Sequence, residues 1–244
     1  MIIVKTWRGR LGNNIIQLSN IIHISLFYKQ NVLFKIKHYL FNVDTIEKYL
    51  DKYKNDKILT DKGDFFESKS TYPKEVFEQN IKEVNQIMKQ SLIINVKKLD
   101  ENDLIIHIRS GDIFTKLRPH PRYVPPPLSY YTNIINANNY KKIIIVCEDT
   151  INPVVNKLLE LYENAIYNKN GLKKDIELIL GASYIISSVG TFIPSLLQFS
   201  HNIKYHYRTH SYSKELKKYY SLMKPWKNSK QQNEYILSYK FEGT

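Results

Sequence analysis

A histidine and an arginine end a short apolar run in the sequence LIIHIRSGD, which spans residues 104–112. A β-branched run that stops at a glycine is typical of a buried strand followed by a sharp turn. Side chains two positions apart share one face of a strand, so His107 and Arg109 are predicted to point to the same side. Ligands of open α/β sheets bind at the carboxyl ends of strands, where an arginine can grip a phosphate with two hydrogen bonds. An ion pair between Arg109 and a nearby carboxylate explains this stretch equally well.

A second candidate site precedes the first helical pattern of the chain. A predicted strand at 2–7 leads into the sequence RGRLGNN, in which two glycines and the basic residues Arg8 and Arg10 precede a predicted helix. Asn13 or Asn14 is expected to cap that helix. A strand, a glycine loop and a helix in this order direct backbone N–H groups towards an anion, although many ordinary βα turns also contain glycine.

Two further strand ends and one helix carry polar side chains. Glu148 and Asp149 follow a predicted strand at 141–147, and the sequence SSVGT at 187–191 follows another predicted strand. Asp175 lies near the beginning of a predicted helix. Each has an ordinary interpretation as a charged turn or a helix cap. Their coincidence at predicted carboxyl ends of strands nevertheless indicates one binding edge.

A long loop follows the arginine motif. Residues 113–127 contain five prolines, two arginines and His120. Prolines prevent regular structure here and stiffen the chain. Because a rigid loop directly after a strand end is a common position for binding residues, this loop is a candidate part of the site.

Strands and helices alternate along the chain, which predicts an α/β fold with a doubly wound parallel sheet. The first hundred residues begin with the same pattern, so we expect two Rossmann-like domains facing a cleft. The predicted boundaries are 1–100 for an N-terminal domain on the acceptor side, 101–225 for a C-terminal domain, and 226–244 for a tail with little fixed structure. The predicted strands lie at 2–7, 32–36, from 104, 141–147, 184–187 and 203–208, and the predicted helices at 13–29, 81–90, 128–137, 153–161, 173–181, 192–199 and 211–226.

The composition is that of an ordinary soluble globular protein. Its 244 residues are 43% hydrophobic, and no apolar run approaches the length of about 20 residues that a membrane span requires. The first ten residues, MIIVKTWRGR, lack the apolar core of a signal peptide. A single cysteine, Cys147, excludes an internal disulfide and a cysteine-rich zinc site. A cytoplasmic protein is therefore expected.

The formal net charge of +13 implies an anionic partner. A basic nucleic-acid-binding α/β protein is one interpretation of this charge. The lysines are dispersed along the chain, however, and we find no compact basic helix, aromatic strand motif or zinc-finger spacing. Dispersed lysines usually form only a solvated surface, so we expect no nucleic acid as partner.

Several of these motifs, in this order, resemble those of the inverting, GDP-fucose-dependent fucosyltransferases, most of all the α1,2 group. HIRSGD at 107–112 resembles the motif H-x-R-x-G/T-D, and GRLGNN at 9–14 resembles the first conserved loop of the same superfamily. LSYY at 128–131 is similar to the L-x-Y-Y that opens the next helix. CED at 147–149 lies where the family has a strand ending in S/T-D-D, and 175–192 is similar to the final donor motif.

The resemblance implies a GT-B-type fold, which the α1,6- and protein O-fucosyltransferases share, and a donor site in the C-terminal domain. Arg109 would bind the β-phosphate of the donor, with Asp112 orienting it. His107 and Asp175 would contact guanine, because a carboxylate suits the two adjacent donors at N1 and N2. The candidate donor-binding residues are His107, Arg109, Asp112, Glu148, Asp149, Asp175, Ser187, Ser188, Thr191 and Phe192, of which Ser188, Thr191 and the backbone at Phe192 would complete a phosphate cradle.

The resemblance also implies a reaction and its catalytic residues. Arg10 and Asn13 would face the sugar across the cleft and act with Arg109. Transfer from a nucleotide diphosphate requires the leaving charge to be neutralised by a metal or by cationic side chains. The sequence has no D-x-D triplet, so no metal is expected. The expected partners are a nucleotide sugar and a glycan acceptor.

Some positions depart from the family pattern. Asn14 replaces the usual glutamine, Ser110 replaces a second arginine, and a glycine and Thr191 replace a serine pair. These differences leave another nucleotide sugar, or an inactive relative that only binds glycans, as alternatives. No general base is evident, with His120, Asp112 and Glu148 as candidates.

Overall fold

The computed structural model describes residues 1–53, 65–209 and 214–241. The chain divides into two compact units. The first consists of Met1–Asn95 together with Pro194–Phe199, and the second of Val96–Ile193 together with Ser200–Thr244.

The first unit contains a short parallel strand pair and a long buried helix. Strand β1 (Ile2–Val4) pairs in parallel with β2 (Val32–Phe34), and helix α1 (Leu11–Tyr28) connects them. Most of α1 is buried, including polar residues such as Gln17 and Asn20, as expected of a helix that packs on several sides. The other helices described in this unit are α2 (Val43–Leu50), α3 (Ser68–Thr71), α4 (Glu75–Glu78) and α5 (Ile81–Ser91).

The predicted cap of α1 is wrong. The helix begins at Leu11, two residues earlier than expected, and Arg10 is the N-cap residue without a side-chain hydrogen bond to the helix. Asn13 and Asn14 therefore lie in its first turn. Asn14 Nδ2 instead donates to the carbonyl oxygen of Arg8 at 2.8 Å, which fixes the glycine loop against the helix.

The second unit contains a five-stranded sheet in which every pair is parallel. Its strands are β3 (Asp103–Ile108), β4 (Lys142–Cys147), β5 (Ala165–Tyr167), β6 (Tyr184–Ser187) and β7 (Tyr205–Arg208), arranged in the order β5-β4-β3-β6-β7. The central position of β3 places the turn after Ile108 at the point where the strand order reverses, which is the usual ligand position of such sheets. The structure confirms the predicted parallel α/β sheet.

Helices cover this sheet and form its core. They are α6 (Asp112–Thr115), α7 (Leu128–Asn136), α8 (Pro153–Leu161), α9 (Gly171–Gly181), α11 (Lys214–Met223) and α12 (Lys230–Ser238). Helix α10 (Phe192–Leu197) begins in this unit, and its residues from Pro194 onwards belong to the first unit. Asn152 caps α8 by accepting from the backbone N–H of Val154, and Pro153 occupies the first turn, as the sequence predicts. Residues 211–213 of the predicted closing helix lie outside the described residues.

The prediction of a tail with little fixed structure after residue 225 is wrong. The Trp226 side chain is only 1% exposed, and its indole Nε1 donates to the carbonyl oxygen of Ile113 at 2.8 Å. Helix α12 begins with a capping box between Ser229 and Gln232, and Ile236 is fully buried. Among the described residues, no helix combines the length and the apolar character needed to cross a membrane.

Candidate functional site

Arg109 follows β3 directly and is held by an ion pair. Its Nη2 lies 2.9 Å from Oδ1 and 3.1 Å from Oδ2 of Asp112, and the two side chains are 17% and 20% exposed. The ion pair with a nearby carboxylate, which the sequence left as an alternative, is thus present. The buried Nε has no hydrogen-bond partner in the described part of the chain. Because a buried donor without an acceptor is costly, Arg109 retains capacity to bind an anion.

The turn after β6 lies against the same guanidinium. A Cβ atom added to Gly190 would be 3.4 Å from Arg109 Nη1, and the φ of this glycine is +114°. A side chain here would be strained by the backbone and would crowd Arg109. The glycine that departs from the family pattern therefore leaves space beside the guanidinium.

His107 is a neutral side chain behind Arg109. Burial and the nearby positive charge of Arg109 lower the pKa of His107 to about 3. Its ring lies 5.3 Å from that of Phe192, and its buried Nδ1 has no partner among the residues that the structure describes. The carbonyl oxygen of His107 accepts from the backbone N–H of Ser188 at 3.0 Å. The ring can therefore offer one nitrogen to a ligand without carrying charge.

The two acidic residues after β4 brace the arginine turn. Asp149 accepts from the hydroxyl of Ser110 and, at 3.0 Å, from the backbone N–H of Ile151. The exposed Glu148 carboxylate lies over Gly111, where an added Cβ would be 2.0 Å from Oε2. Gly111 has a φ of +56°, so the turn requires glycine for its backbone as well. Asp149 therefore stabilises the turn that carries Arg109, and Glu148 occupies the space that a side chain at position 111 would need.

Asp175 belongs to an amide cluster beyond the short strand β5. Its Oδ1 accepts from Asn168 Nδ2 at 2.6 Å, and Asn170 Nδ2 donates to Asn168 Oδ1 at 2.9 Å. Burial raises the pKa of Asp175, and the Asn168 hydrogen bond opposes that shift. A partly buried carboxylate held by neutral amides is suited to accept hydrogen bonds from two adjacent donors of a ligand.

The sequence did not indicate Tyr167 as part of this region. Its hydroxyl donates to the carbonyl oxygen of Cys147 at 3.3 Å. Burial raises the pKa of Tyr167, and its proximity to Cys147, Asp175 and Asp149 raises the pKa further. Sequence analysis did not predict this strand because β5 is only three residues long and has no clear hydrophobic period.

Ser187 is bound within its own sheet. Its Oγ lies 2.7 Å from Nε2 of His206 on the neighbouring strand, and Arg208 Nε donates to Nδ1 of the same ring at 2.9 Å. Burial, followed by the charge of Arg208, lowers the pKa of His206 to about 4. His206 therefore holds Ser187 at the end of its strand, and Arg208 holds His206. Sequence analysis identified neither His206 nor Arg208 as part of this region.

Thr191 is exposed at the end of the glycine turn, and Ser188 is buried, with its Oγ unpartnered among the described residues.

Tyr123, from the proline-rich loop, is a neighbour of Arg109 that the sequence did not indicate. Its ring lies 5.3 Å from Arg109 Cζ. The structure thus brings Arg109 together with Asp112, Gly190 and Tyr123.

Arg10 and Asn13 lie in the first unit, in the glycine loop before α1. Gly9 has a φ of +62°, and a Cβ added there would be 2.7 Å from Asn13 Nδ2. The Arg10 side chain is exposed, whereas Asn13 is partly buried. Arg8 donates its backbone N–H to Gln17 Oε1 at 2.9 Å, so a side chain of α1 holds the beginning of the loop.

Solved structures of POFUT1 are similar to this chain. POFUT1 in complex with GDP gives a TM-score of 0.52 at 12% identity, covering 85% of this chain and 97% of that chain. POFUT1 in complex with GDP-fucose gives the same values in one crystal form, and a TM-score of 0.50 at 11% identity, with 85% and 96% coverage, in another. At this identity the similarity shows the fold alone. No protein-family model matches the sequence, and no curated protein matches it.

Proposed function

We propose that this protein is an inverting glycosyltransferase that transfers fucose from GDP-fucose to a glycan acceptor. The observation that carries the proposal is Arg109, a mostly buried cation at the central strand end. Its Nε has no hydrogen-bond partner among residues 1–53, 65–209 and 214–241, and its guanidinium lies beside a glycine turn. The fold similarity to POFUT1, which has been solved with GDP and with GDP-fucose, supports this choice of donor.

Arg109 would act on the leaving group. As the bond between the sugar and the β-phosphate breaks, negative charge grows on the phosphate oxygen. A guanidinium that is only 17% exposed and already oriented by Asp112 can stabilise that charge more strongly than a solvated one. We assign the neutralisation of the diphosphate to this side chain, assisted by the turn at 188–191, and not to a metal.

Asp175 and His107 would select the base. The carboxylate of Asp175 can accept from N1 and N2 of guanine, and the amides of Asn168 and Asn170 hold it in place. The neutral ring of His107 can contact the same nucleotide without repelling Arg109. Uracil does not offer the same pair of adjacent donors, so a site of this kind favours GDP over UDP.

Arg10 and Asn13 would contact the transferred sugar. The acceptor hydroxyl would attack the anomeric carbon from the side opposite to GDP. The bond between that carbon and the β-phosphate oxygen breaks, GDP leaves, and the hydroxyl proton is released to water. The other donor-binding candidates, Glu148, Asp149 and Ser187, would support the site through the turn and the strand edge.

The test compares transfer from GDP-fucose by the wild type, Arg109→Ala and Arg109→Lys. Loss of the guanidinium should lower kcat by about 10²- to 10³-fold, because it removes charge stabilisation that a solvated cation does not replace. Lysine should recover only part of this loss, since it lacks the planar fork. Steady-state kinetics with a pool of fucose acceptors provides the measurement.

Arg118→Ala is the matched control, because Arg118 is exposed in the neighbouring loop. Its activity should equal that of the wild type. A thermal-shift panel with GDP, UDP and their sugars completes the experiment. Equal stabilisation by UDP and GDP, or full activity of Arg109→Ala, would contradict the proposed function.

A further inference from the structure

The proline-rich loop between α6 and α7 brings an aromatic ring to the arginine. Tyr123 is partly buried, and its ring centroid lies 5.3 Å from Arg109 Cζ. At this separation the face of a tyrosine ring attracts a guanidinium, and the attraction grows as the pair is removed from water. Arg109 is largely removed from water in this structure.

Three neighbours constrain the guanidinium in different ways. Asp112 binds Nη2 with both carboxylate oxygens, and Gly190 lies beside Nη1. The ring of Tyr123 lies over the central carbon. The ion pair fixes one nitrogen but leaves rotation about it possible. A ring against the guanidinium restricts that rotation, so that Nε and Nη1 keep a constant direction.

The loop holds Tyr123 through contacts of its own. The backbone N–H of Tyr123 donates to the carbonyl oxygen of His120 at 3.1 Å, and the two rings stack with centroids 4.5 Å apart and an angle of 29°. The backbone N–H of Arg122 also donates to His120 Nδ1 at 3.3 Å. These contacts form a compact turn over residues 120–123.

The C-terminal part of the chain anchors the same loop from outside. The backbone N–H of Trp226 donates to the carbonyl oxygen of Pro121 at 3.1 Å, and the hydroxyl of Tyr219 donates to that of Pro125 at 3.0 Å. The two anchored carbonyls lie on either side of Tyr123. Both donors are buried, so these hydrogen bonds are protected from competition by water.

We infer that Tyr123 is a positioning residue for Arg109, and that the segment 219–226 serves as the support of the loop that carries it. The nature of the bound anion rests on the proposed function, whereas the coupling between Tyr123 and Arg109 does not. The inference also gives the buried C-terminal segment a functional role, because it determines where the ring of Tyr123 lies.

The first experiment measures binding of GDP and inorganic pyrophosphate to Tyr123→Phe and Tyr123→Leu. Tyr123→Leu should weaken both ligands and lower kcat by about tenfold, since the cation–π contact and the orientation of Arg109 are lost together. Tyr123→Phe keeps the ring and should stay within about twofold of the wild type. In an Arg109→Ala background, Tyr123→Leu should cause no further loss.

Tyr162→Leu is the matched control. Tyr162 also packs against the core of the second unit, but its hydroxyl donates to Asn136 Oδ1 at the ends of α7 and α8, where the chain enters β4 and β5. It should lose stability without losing affinity. Unchanged pyrophosphate affinity in Tyr123→Leu, or an additive loss in the double variant, would overturn the inference.

A measurement on the free protein separates this inference from the proposed function. The Nε–H of Arg109 is buried, so its proton resonance should be observable and should be shifted by the ring current of Tyr123. The resonance, assigned by its loss in Arg109→Lys, should move in Tyr123→Leu and stay in place in Tyr123→Phe. An unmoved resonance in Tyr123→Leu contradicts the inference. Absence of GDP binding to the wild type contradicts only the proposed function.

Discussion

Carboxylates near the sheet edge of the second unit are held in two different ways. Asp112 is bound by the guanidinium of Arg109, whereas Asp175 accepts from the neutral amide of Asn168. A neutral donor replaces less of the hydration that a carboxylate loses on burial than a cation does. Asp175 therefore has a raised pKa, and its charged form is costly for the empty protein. Such a group gains most when a ligand supplies donors to it.

Asp175→Asn should stabilise the free protein at neutral pH while weakening GDP binding. The pKa of Asp175 is raised above its ordinary value of 3.8, so the folded state binds the proton more tightly and stability falls as the pH rises through this range. The amide removes that cost but offers only one acceptor atom to guanine. GDP affinity should fall by about 10- to 100-fold. Urea unfolding at pH 7 and calorimetry with GDP provide the measurements.

Glu177→Gln on the same helix is the control for this prediction. Glu177 forms an ion pair with Lys174 at 3.0 Å, and Glu177→Gln should leave the GDP affinity unchanged. An Asp175→Asn variant that is less stable than the wild type at pH 7 would show that the carboxylate is well compensated in the free protein.

Single residues at strand ends could be placed from the sequence when a strong strand pattern preceded them. His107 and Arg109 follow a continuous apolar run, and the structure has both at the end of the central strand. Tyr123 could not be placed, because a proline-rich loop has no period that tells which side chain turns inwards. His206 was missed for another reason: it contacts Ser187 from a strand whose position in the sheet the sequence does not specify.

At the scale of elements, the C-terminal segment is a part of the core. Trp226 packs edge-on against Phe114 with ring centroids 5.5 Å apart, and its indole N–H binds the carbonyl oxygen of Ile113. Asn228 Nδ2 donates to the carbonyl oxygen of Phe114 at 2.6 Å. The segment after α11 thus packs against the short helix α6 and the beginning of the proline-rich loop.

Trp226→Ala should destabilise the protein by about 3–5 kcal/mol, because a large buried side chain is replaced by a cavity. Trp226→Phe should cost about 1–3 kcal/mol, since the ring volume is mostly kept while the carbonyl oxygen of Ile113 loses its donor. Urea unfolding followed by circular dichroism measures both. A loss below about 1 kcal/mol in Trp226→Ala would indicate that the segment does not contribute to the core.

The elements that the sequence predicted well are those with a clear period. The parallel strands β3, β4 and β6 are apolar runs buried on both faces, and α8 has its asparagine cap and its proline. The elements that it missed are short or polar. Strand β5 has three partly exposed residues, and α12 presents one fully buried residue, Ile236. Tertiary contacts contribute most of the stability of such elements, and a hydrophobic period does not report them. The capping box of α12 was a local signal that sequence analysis overlooked.

At the scale of the whole molecule, three histidines among the described residues have a pKa lowered to about 4 or below and so oppose protonation. Burial lowers the pKa of His38 to about 4, that of His107 to about 3 and that of His206 to about 4. They belong to both units, since His38 lies in the first and the others in the second. In the unfolded chain each would titrate near its ordinary value of 6.5. A protein with a net charge of +13 also gains further self-repulsion in acid.

Stability should therefore be greatest above pH 6.5 and should fall as the pH is lowered towards 4. Over that interval the unfolded state binds more protons than the folded state, and each histidine contributes at most about 1.4 kcal/mol per pH unit. Urea midpoints between pH 7.5 and 4.5 test this. His38→Gln, and more strongly the triple glutamine variant, should flatten the profile. Urea midpoints that do not change with pH in the wild type would contradict the lowered pKa values of these histidines.

The composition of the first unit has a consequence for how the chain acquires its structure during synthesis. Its core includes Phe199, whose ring lies 5.7 Å from that of Phe41, and Leu196, which is fully buried. These residues leave the ribosome only after most of the second sheet has been made. The first unit can therefore complete its core only after a segment encoded far downstream has been synthesised, so its full stability depends on residues that follow most of the second sheet.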